Sequence, residues 1–343
     1  MSAKNHAQYA AARPGRGKQR RASGVKRWVS LHRKGGKIFY MLNKYLFLPF
    51  LMIMICAPAY ATIGCGEDGV WLQVLGSGGP ELDDGRASSG YVIWHKGKAR
   101  LLIDIGSGSM FRFEQSGASL NDLDVILLSH MHVDHSNDLP ALIKASFFSD
   151  RNRDLYLYGP SGNSFMPSAT NYLQDLFGGD GAYQYLSGYL DGDEKYRLLP
   201  HDVDATAKAE QVVLADSHYR LTAVPVHHGP IPALAWRVEM AGKLIVFSGD
   251  MNNDNDTLAI LAKQADLLVA HHAVPEGTRG IARNLHMPPS VIGKIAAKAR
   301  VKHMVLSHRM NRTLGQERIS TEQIRQQYNG PMQFADDLQC FRL

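Results

Sequence analysis

From residue 70 onward, short runs of apolar and β-branched residues alternate with glycine turns and with stretches whose apolar positions recur three or four apart. The runs predict strands over Trp71–Gly76, Tyr91–Trp94, Arg100–Ile105, Val125–Ser129, Leu155–Tyr158 and Tyr219–Val226. Further strands are predicted over Ala235–Glu239, Leu244–Ser248, Leu267–Ala270, His303–Ser307 and Met332–Phe334. Helical spacing predicts helices over Asp138–Phe148, Ser164–Phe177, Asp256–Lys263, Pro288–Ala299 and Thr321–Tyr328. Pro288-Pro289 suits a first helical turn, where a missing N–H costs nothing. The alternation reads as α/β, and the strand-rich halves on either side of residue 200 share a rhythm. Residues 161–200 differ, being rich in Gly, Tyr, Ser and Asp. That composition suits an insertion over a pocket, with plain surface packing of the tyrosines as the other reading.

Charge divides the chain in two. Residues 1–61 hold twelve Lys or Arg and no Asp or Glu. The remaining 26 basic residues face all 32 acidic ones within residues 62–343, a balance of about −6. The overall +6 therefore belongs to a leader, and the argument from charge for a nucleic-acid-binding body disappears. The leader contains the apolar run Tyr45–Ile55, followed by Ala57-Pro58-Ala59-Tyr60-Ala61, the pattern of a signal peptide and its cleavage site. The run is too short for a spanning helix, although an uncleaved anchor stays open. Met41 would give the leader an ordinary length. The expected location is periplasmic or secreted. Cys56 leaves with the leader, so Cys65 and Cys340 remain, a pair at the two ends that suggests a disulfide in an oxidising compartment. Two unrelated thiols are the alternative.

The chemistry concentrates in Ser129-His130-Met131-His132-Val133-Asp134-His135, directly after the apolar strand Val125–Leu128. His130 and His132, two apart in an extended segment, can share one ion. Asp134 and His135, on the turn into the next helix, can face a second. Imidazole and carboxylate without thiolate suit Zn²⁺, with Mn²⁺ or Fe compatible.

This loop resembles the His-x-His-x-Asp-His signature of the metallo-β-lactamase superfamily. Leu75–Pro80, Leu102–Gly106, Leu244–Asp250 and Val305–His308 resemble its other stretches in order. The resemblance implies an α/β fold of αβ/βα sandwich type, with metals at one edge of two sheets. It implies His130, His132 and His228 around one zinc, Asp134, His135 and His308 around the other, and Asp250 between them. His228 is preferred to His227 because neighbouring strand side chains point to opposite faces, and because His228-Gly229-Pro230 matches the family pattern. Asp104, in Asp-x-Gly, would hold a metal-bound imidazole or serve the turn.

Arg86–Ser89 and Asn284–Ser290 resemble one branch, that of ribonuclease Z and related arylsulfatase- and phosphodiesterase-type hydrolases. There the histidine matching His286 assists proton transfer together with a glutamate in a His-Glu-Ala motif. Here that motif reads His271-His272-Ala273, so His272 stands in the glutamate's place, as a substitute proton shuttle or to orient His286, and for His271 a place at the strand end without catalytic duty stays open. Asp134, His286 and His272 are the expected catalytic residues. The expectation is an exported binuclear zinc hydrolase of a small phosphodiester or aryl sulfate ester, acting through metal-bound hydroxide. The alternatives are a ribonuclease Z-type endonuclease for transfer RNA 3′ processing, or a lactone or β-lactam hydrolase. The expected partner is a small-molecule ester. Nucleic acid is disfavoured, no stable membrane span remains in the mature chain, and a homodimer is left open.

Overall fold

The computed structural model describes residues 64–343. The leader, its cleavage site, Met41 and Cys56 lie outside the described residues. Among the described residues no helix is long and apolar enough to cross a membrane.

The chain begins with a meander, β1 (Val70–Gly76), β2 (Gly90–His95) and β3 (Lys98–Ile105), paired antiparallel. After α1 (Ser109–Gln115), β4 (Val125–Leu127) pairs parallel with β3. The short α2 (Val133–Ser136) and α3 (Leu139–Ser146) lead to β5 (Leu155–Pro160), and α4 (Ala169–Phe177) and α5 (Gly188–Asp191) lead to β6 (Leu198–Val203), all parallel. The second half repeats the plan. Strands β7 (Gln211–Ala215), β8 (Tyr219–His228), β9 (Ile231–Met240) and β10 (Lys243–Phe247) are antiparallel. After α6 (Leu258–Leu261) comes β11 (Leu267–His271), and after α7 (Gly280–Leu285) and α8 (Pro289–Ala299) comes β12 (Met304–Ser307). Following α9 (Glu317–Arg325), β13 (Met332–Phe334) completes the parallel part of this sheet. The last strand, β14 (Cys340–Arg342), crosses back to the first sheet beside β1. Two seven-stranded mixed sheets result, ordered β14-β1-β2-β3-β4-β5-β6 and β13-β12-β11-β10-β9-β8-β7.

Period-two alternation makes the layers. Val70, Leu72, Val74, Tyr91, Ile93, Leu101 and Ile103 face Leu234, Trp236, Val238 and Phe247 in one apolar core between the sheets. The intervening residues Val92, Leu102 and Ile105 face helices on the other side of the first sheet. Val246, Leu268 and Leu306 do the same for the second. Each fully buried side chain of this size contributes roughly 1.5–3 kcal/mol, so the four-layer stack is held mainly by apolar burial.

Cys65 and Cys340 form a disulfide, tying the entry to β1 to the strand that pairs with it. Residues 161–200 include the crossover from β5 into β6. Leu173, Phe177, Leu186, Tyr189 and Tyr196 pack into the helical layer behind the first sheet, because two parallel neighbours need a long connection on the sheet's face. Strands β6, β7 and β14 are absent from the sequence expectation. β7 is half exposed and β14 is three residues long, so neither carries a strong apolar run.

Candidate metal centre

Strand β4 ends at Leu127, and the chain then enters the His130–His135 loop. Asp104 fixes that loop. Its Oδ1 accepts from Ser129 N (2.7 Å), while Oδ2 accepts from Ser129 Oγ and lies against His135 Nδ1, both at 2.8 Å. Asp104 holds a left-handed backbone, φ 52°, at the end of β3. Gly106 follows because a Cβ there would lie 2.0 Å from the carbonyl oxygen of Asp134. The Asp-x-Gly motif is thus a clasp on the histidine loop.

Two groups of donors face each other. In the first, His130 Nε2 lies 2.9 Å from His132 Nδ1, which lies 3.4 Å from His228 Nε2. His228 Nδ1 donates to the Leu285 carbonyl at 3.0 Å, since a carbonyl can only accept. Its Nε2 lone pair therefore points bare toward the other two. In the second group, His308 Nε2 is 3.2 Å from Asp134 Oδ2, and His135 Nε2 is 3.5 Å from the same oxygen. One oxygen of Asp250 faces both groups, with Oδ2 3.4 Å from His308, 3.6 Å from His135 and 3.8 Å from His228. All seven of these side chains except His132 are buried.

The electrostatics of the second group demand positive charge. Against the opposing effect of burial, Asp134, Asp104 and Asp250 hold His135 well above the usual histidine range. Burial likewise opposes, but Asp250 and Asp134 still raise His308. Asp250 is held well below the usual carboxylate range by His308, His286 and His135, although burial acts the other way. His130 is the reverse case, pushed well down by burial and by His135 and His228. His135 Nε2 is fully buried, has no hydrogen-bond partner, and is aimed at two carboxylates. With Nδ1 committed to Asp104, Nε2 can face those two carboxylates only behind a proton or a metal cation. The donors fit divalent metal: His130, His132 and His228 gather in one group, and His135, His308, Asp250 and His271 in another, with Asp134 beside His135 and His308.

His227 turns away, its Nδ1 2.6 Å from the Asn252 amide. His286 stands beside the centre with Nδ1 3.8 Å from Asp250 Oδ1. Burial, together with His308, His228 and Arg312, outweighs Asp250 and pushes this imidazole down to about 3. His272 is not brought to the centre. Its Nε2 lies 2.9 Å from Ser320 Oγ on α9, and its ring meets Phe334 edge-on. As its neighbour, His271 takes the opposite side, with Nδ1 2.8 Å from Asp250 Oδ1 and Nε2 3.1 Å from Tyr91 Oη. Tyr91 Oη in turn lies 2.9 Å from Ser307 Oγ. His271 and Tyr91 are therefore neighbours of the centre that the sequence reading passed over. Arg312 also went unremarked; its Nε donates to the Ala273 carbonyl (2.6 Å) and its Nη2 to Met310 Sδ (3.1 Å), and no carboxylate among the described residues pairs with it. Its neighbour Arg309 is tied to Glu317 and Asp336.

Residues 99–309 match the family described as the Beta-lactamase superfamily domain. The chain belongs to the metallo-β-lactamase superfamily. It is a metal-dependent hydrolase of ester bonds, similar to ribonuclease Z. A protein of Mycobacterium sp. (strain KMS) named Ribonuclease Z is 30% identical over 207 residues, 59% of this chain and 68% of that one. The Ribonuclease Z of Haloferax volcanii is 26% identical over 294 residues, 77% of this chain and 92% of that one. Two crystal structures share the superfamily fold. The Bacillus subtilis metallo-beta-lactamase fold protein YhfI aligns with TM-score 0.64 at 20% identity, covering 80% of this chain and 99% of that one. The short form of human tRNase Z aligns with TM-score 0.60 at 21% identity, covering 79% and 98%.

The expectation that nucleic acid is a disfavoured partner is corrected by these relatives, which are ribonucleases by name. Its error was physical. A net charge of about −6 averages over the whole body, whereas a bound anion responds to the local field.

Proposed function

We propose that this superfamily hydrolase cleaves phosphodiester bonds in RNA, the activity that its ribonuclease Z relatives' name states. The observation that carries the reading is the joint position of His286 and Arg312 beside a complete two-group centre. Zinc in both groups, with Asp250 Oδ2 between them, fits the imidazole and carboxylate donors. Ions held there would activate water and stabilise charge on the phosphoryl oxygens.

The chain's own residues do the rest. Asp134 remains ionised and accepts a hydrogen bond that orients the attacking water. His271 holds Asp250 by one oxygen, leaving the other free to face both groups. His286 is neutral at physiological pH and points its N–H at the leaving oxygen as a hydrogen-bond donor, stabilising the negative charge that builds there while keeping its own proton. Arg312 offers its guanidinium to a phosphoryl oxygen, as a planar cation does. An oxidising compartment outside the cytoplasm belongs to this reading, supported by the Cys65–Cys340 disulfide.

The test is a substrate panel on the zinc-loaded protein, comprising a short RNA, an aryl phosphodiester, an aryl sulfate and a β-lactam. Turnover of RNA and of the phosphodiester is expected. Preference for the sulfate or the lactam, with RNA left uncut, would overturn the proposal. His286→Ala should lower turnover by about 10²–10⁴-fold while retaining metal, with a smaller loss for a nitrophenolate leaving group that needs little stabilisation.

A further inference from the structure

A cavity of about 500 Å³ lies against the β8–β9 hairpin that carries His228, and no residue of the donor cluster lines it. One wall is the β8–β9 hairpin, over residues 225–233; the other is formed by residues 161–163 and the turn 205–208 after β6. The hairpin joins this cavity to the chemistry. His227 lines the cavity, whereas His228 reaches the donor cluster, and consecutive Cα atoms lie about 3.8 Å apart. The walls are also tied together. Asn163 donates from Nδ2 to the Pro230 carbonyl at 2.8 Å, while its Oδ1 accepts from Phe165 N and Met166 N. The cleft is therefore preformed, and little ordering is needed to fill it.

Its chemistry is two-sided. Pro230, Ile231 and Pro232 present a rigid apolar wall with no backbone N–H at either proline. Across from them stands Lys208, an exposed cation with no carboxylate partner among the described residues. Thr206, whose hydroxyl donates to Asp204 Oδ1, and Asn255 add neutral hydrogen-bonding groups to the lining. A flat ring joined to a sugar and an anionic group matches that sequence of surfaces, and a volume of this size suits a ligand of drug-like dimensions.

We propose that this cleft binds the nucleotide adjoining the scissile phosphodiester, its base lying on Pro230–Pro232 and its own phosphate meeting Lys208. The inference rests on the phosphodiesterase reading and names the part of the substrate beyond the reacting phosphate.

Binding of uridine 5′-monophosphate and of inorganic phosphate to the full chain, by titration calorimetry, tests it. The native protein should bind the nucleotide at least about tenfold more tightly than phosphate, a gap of roughly 1.4 kcal/mol. Lys208→Ala should weaken the nucleotide about three- to tenfold, and Ile231→Thr should weaken it too. Lys263→Ala, which removes the same charge from another exposed site, should change nothing. The ratio of kcat/KM for a dinucleoside monophosphate to that for a small aryl phosphodiester should fall with Lys208→Ala by the same factor. Nucleotide bound no tighter than phosphate, or binding indifferent to Lys208, would overturn the cleft assignment. Lys208-dependent binding in a protein that cleaves no phosphodiester would leave the cleft standing and overturn the reading beneath it.

Discussion

Strands β1–β6 and β7–β13 follow one plan, antiparallel first and then parallel, yet the two halves supply the centre in different ways. The first half delivers His130, His132, Asp134 and His135 from one short loop after β4. The second delivers His228, Asp250, His271 and His308 from the ends of β8, β10, β11 and β12. Only the sheet's register aligns those ends, as where His271 sits opposite Ser307, one residue before His308. The loop is a local device held by one clasp, Asp104. The distributed set is held by the tertiary fold, through hydrogen bonds that cross from strand to strand.

Asp250 is where the comparison is sharpest, because one oxygen serves both groups while the other belongs to His271. Asp250→Asn should reduce bound divalent metal, expected at two ions per chain, to at most one and lower turnover by more than about 10⁴-fold. His132→Ala, confined to the loop, should cost one ion and leave the second group loaded. Metal analysis of the two proteins decides the matter. If Asp250→Asn kept both ions, the halves would be independent sites.

The disulfide fastens the end of the chain, after the second sheet is complete, back onto the first sheet. Closing so long a loop stabilises by roughly 5 kcal/mol in the chain-entropy account. Reduction should therefore lower the unfolding temperature by about 10 °C or more. Thiol titration of the denatured, unreduced protein should find no free thiol at Cys65 or Cys340. Reduction without a shift would mean that pairing of β14 with β1 holds that strand by itself.

Legibility in the sequence follows the same division. The histidine loop could be read directly because four donors within six residues have little structural explanation, and the strands around it carry continuous apolar runs. His228 was separable from His227 by alternation together with the family's His-Gly-Pro pattern, and the fold places it accordingly. The same rule, applied to His271 and His272, needed one more fact, namely which residue of β11 faces Asp250. Both histidines follow the same strand and carry the same chemistry, so the family motif's glutamate position pointed to His272. Tyr91 gave no signal at all, since a tyrosine within an apolar strand reads as core. Its hydroxyl meets His271 from the other sheet, across the interface.

That cross-sheet contact can be broken alone. His271 is held between Asp250 at Nδ1 and the Tyr91 hydroxyl at Nε2, and that hydroxyl donates to Ser307 Oγ. Tyr91→Phe removes this partner while keeping the ring in the core. Loss of such a supporting partner typically costs 10–100-fold in metal affinity or activity. The expected result is weaker metal binding with KM for substrate unchanged at saturating zinc. A proportionate rise in KM instead would place Tyr91 in substrate binding rather than in holding Asp250.

His272 supplies the smallest effect and a control on the whole comparison, since it belongs to the second half but stands outside the centre. Burial, aided by Arg309 and against Glu317, pushes it down to about 4. An unfolded histidine titrates near 6.5, so as the pH falls below that value the unfolded chain takes up a proton that the folded chain refuses. The stability tied to this residue is therefore complete above pH 6.5 and is lost as the pH falls toward 4, with a slope approaching about 1.4 kcal/mol per pH unit. His272→Asn should remove that slope, so that its denaturant midpoint declines less between pH 7.5 and 4.5, by roughly 2 kcal/mol of stability. Turnover and metal content at pH 7.5 should match those of the native protein. A variant that lost turnover with metal retained would return His272 to the proton path, against the geometry that turns its ring toward Ser320 and Phe334.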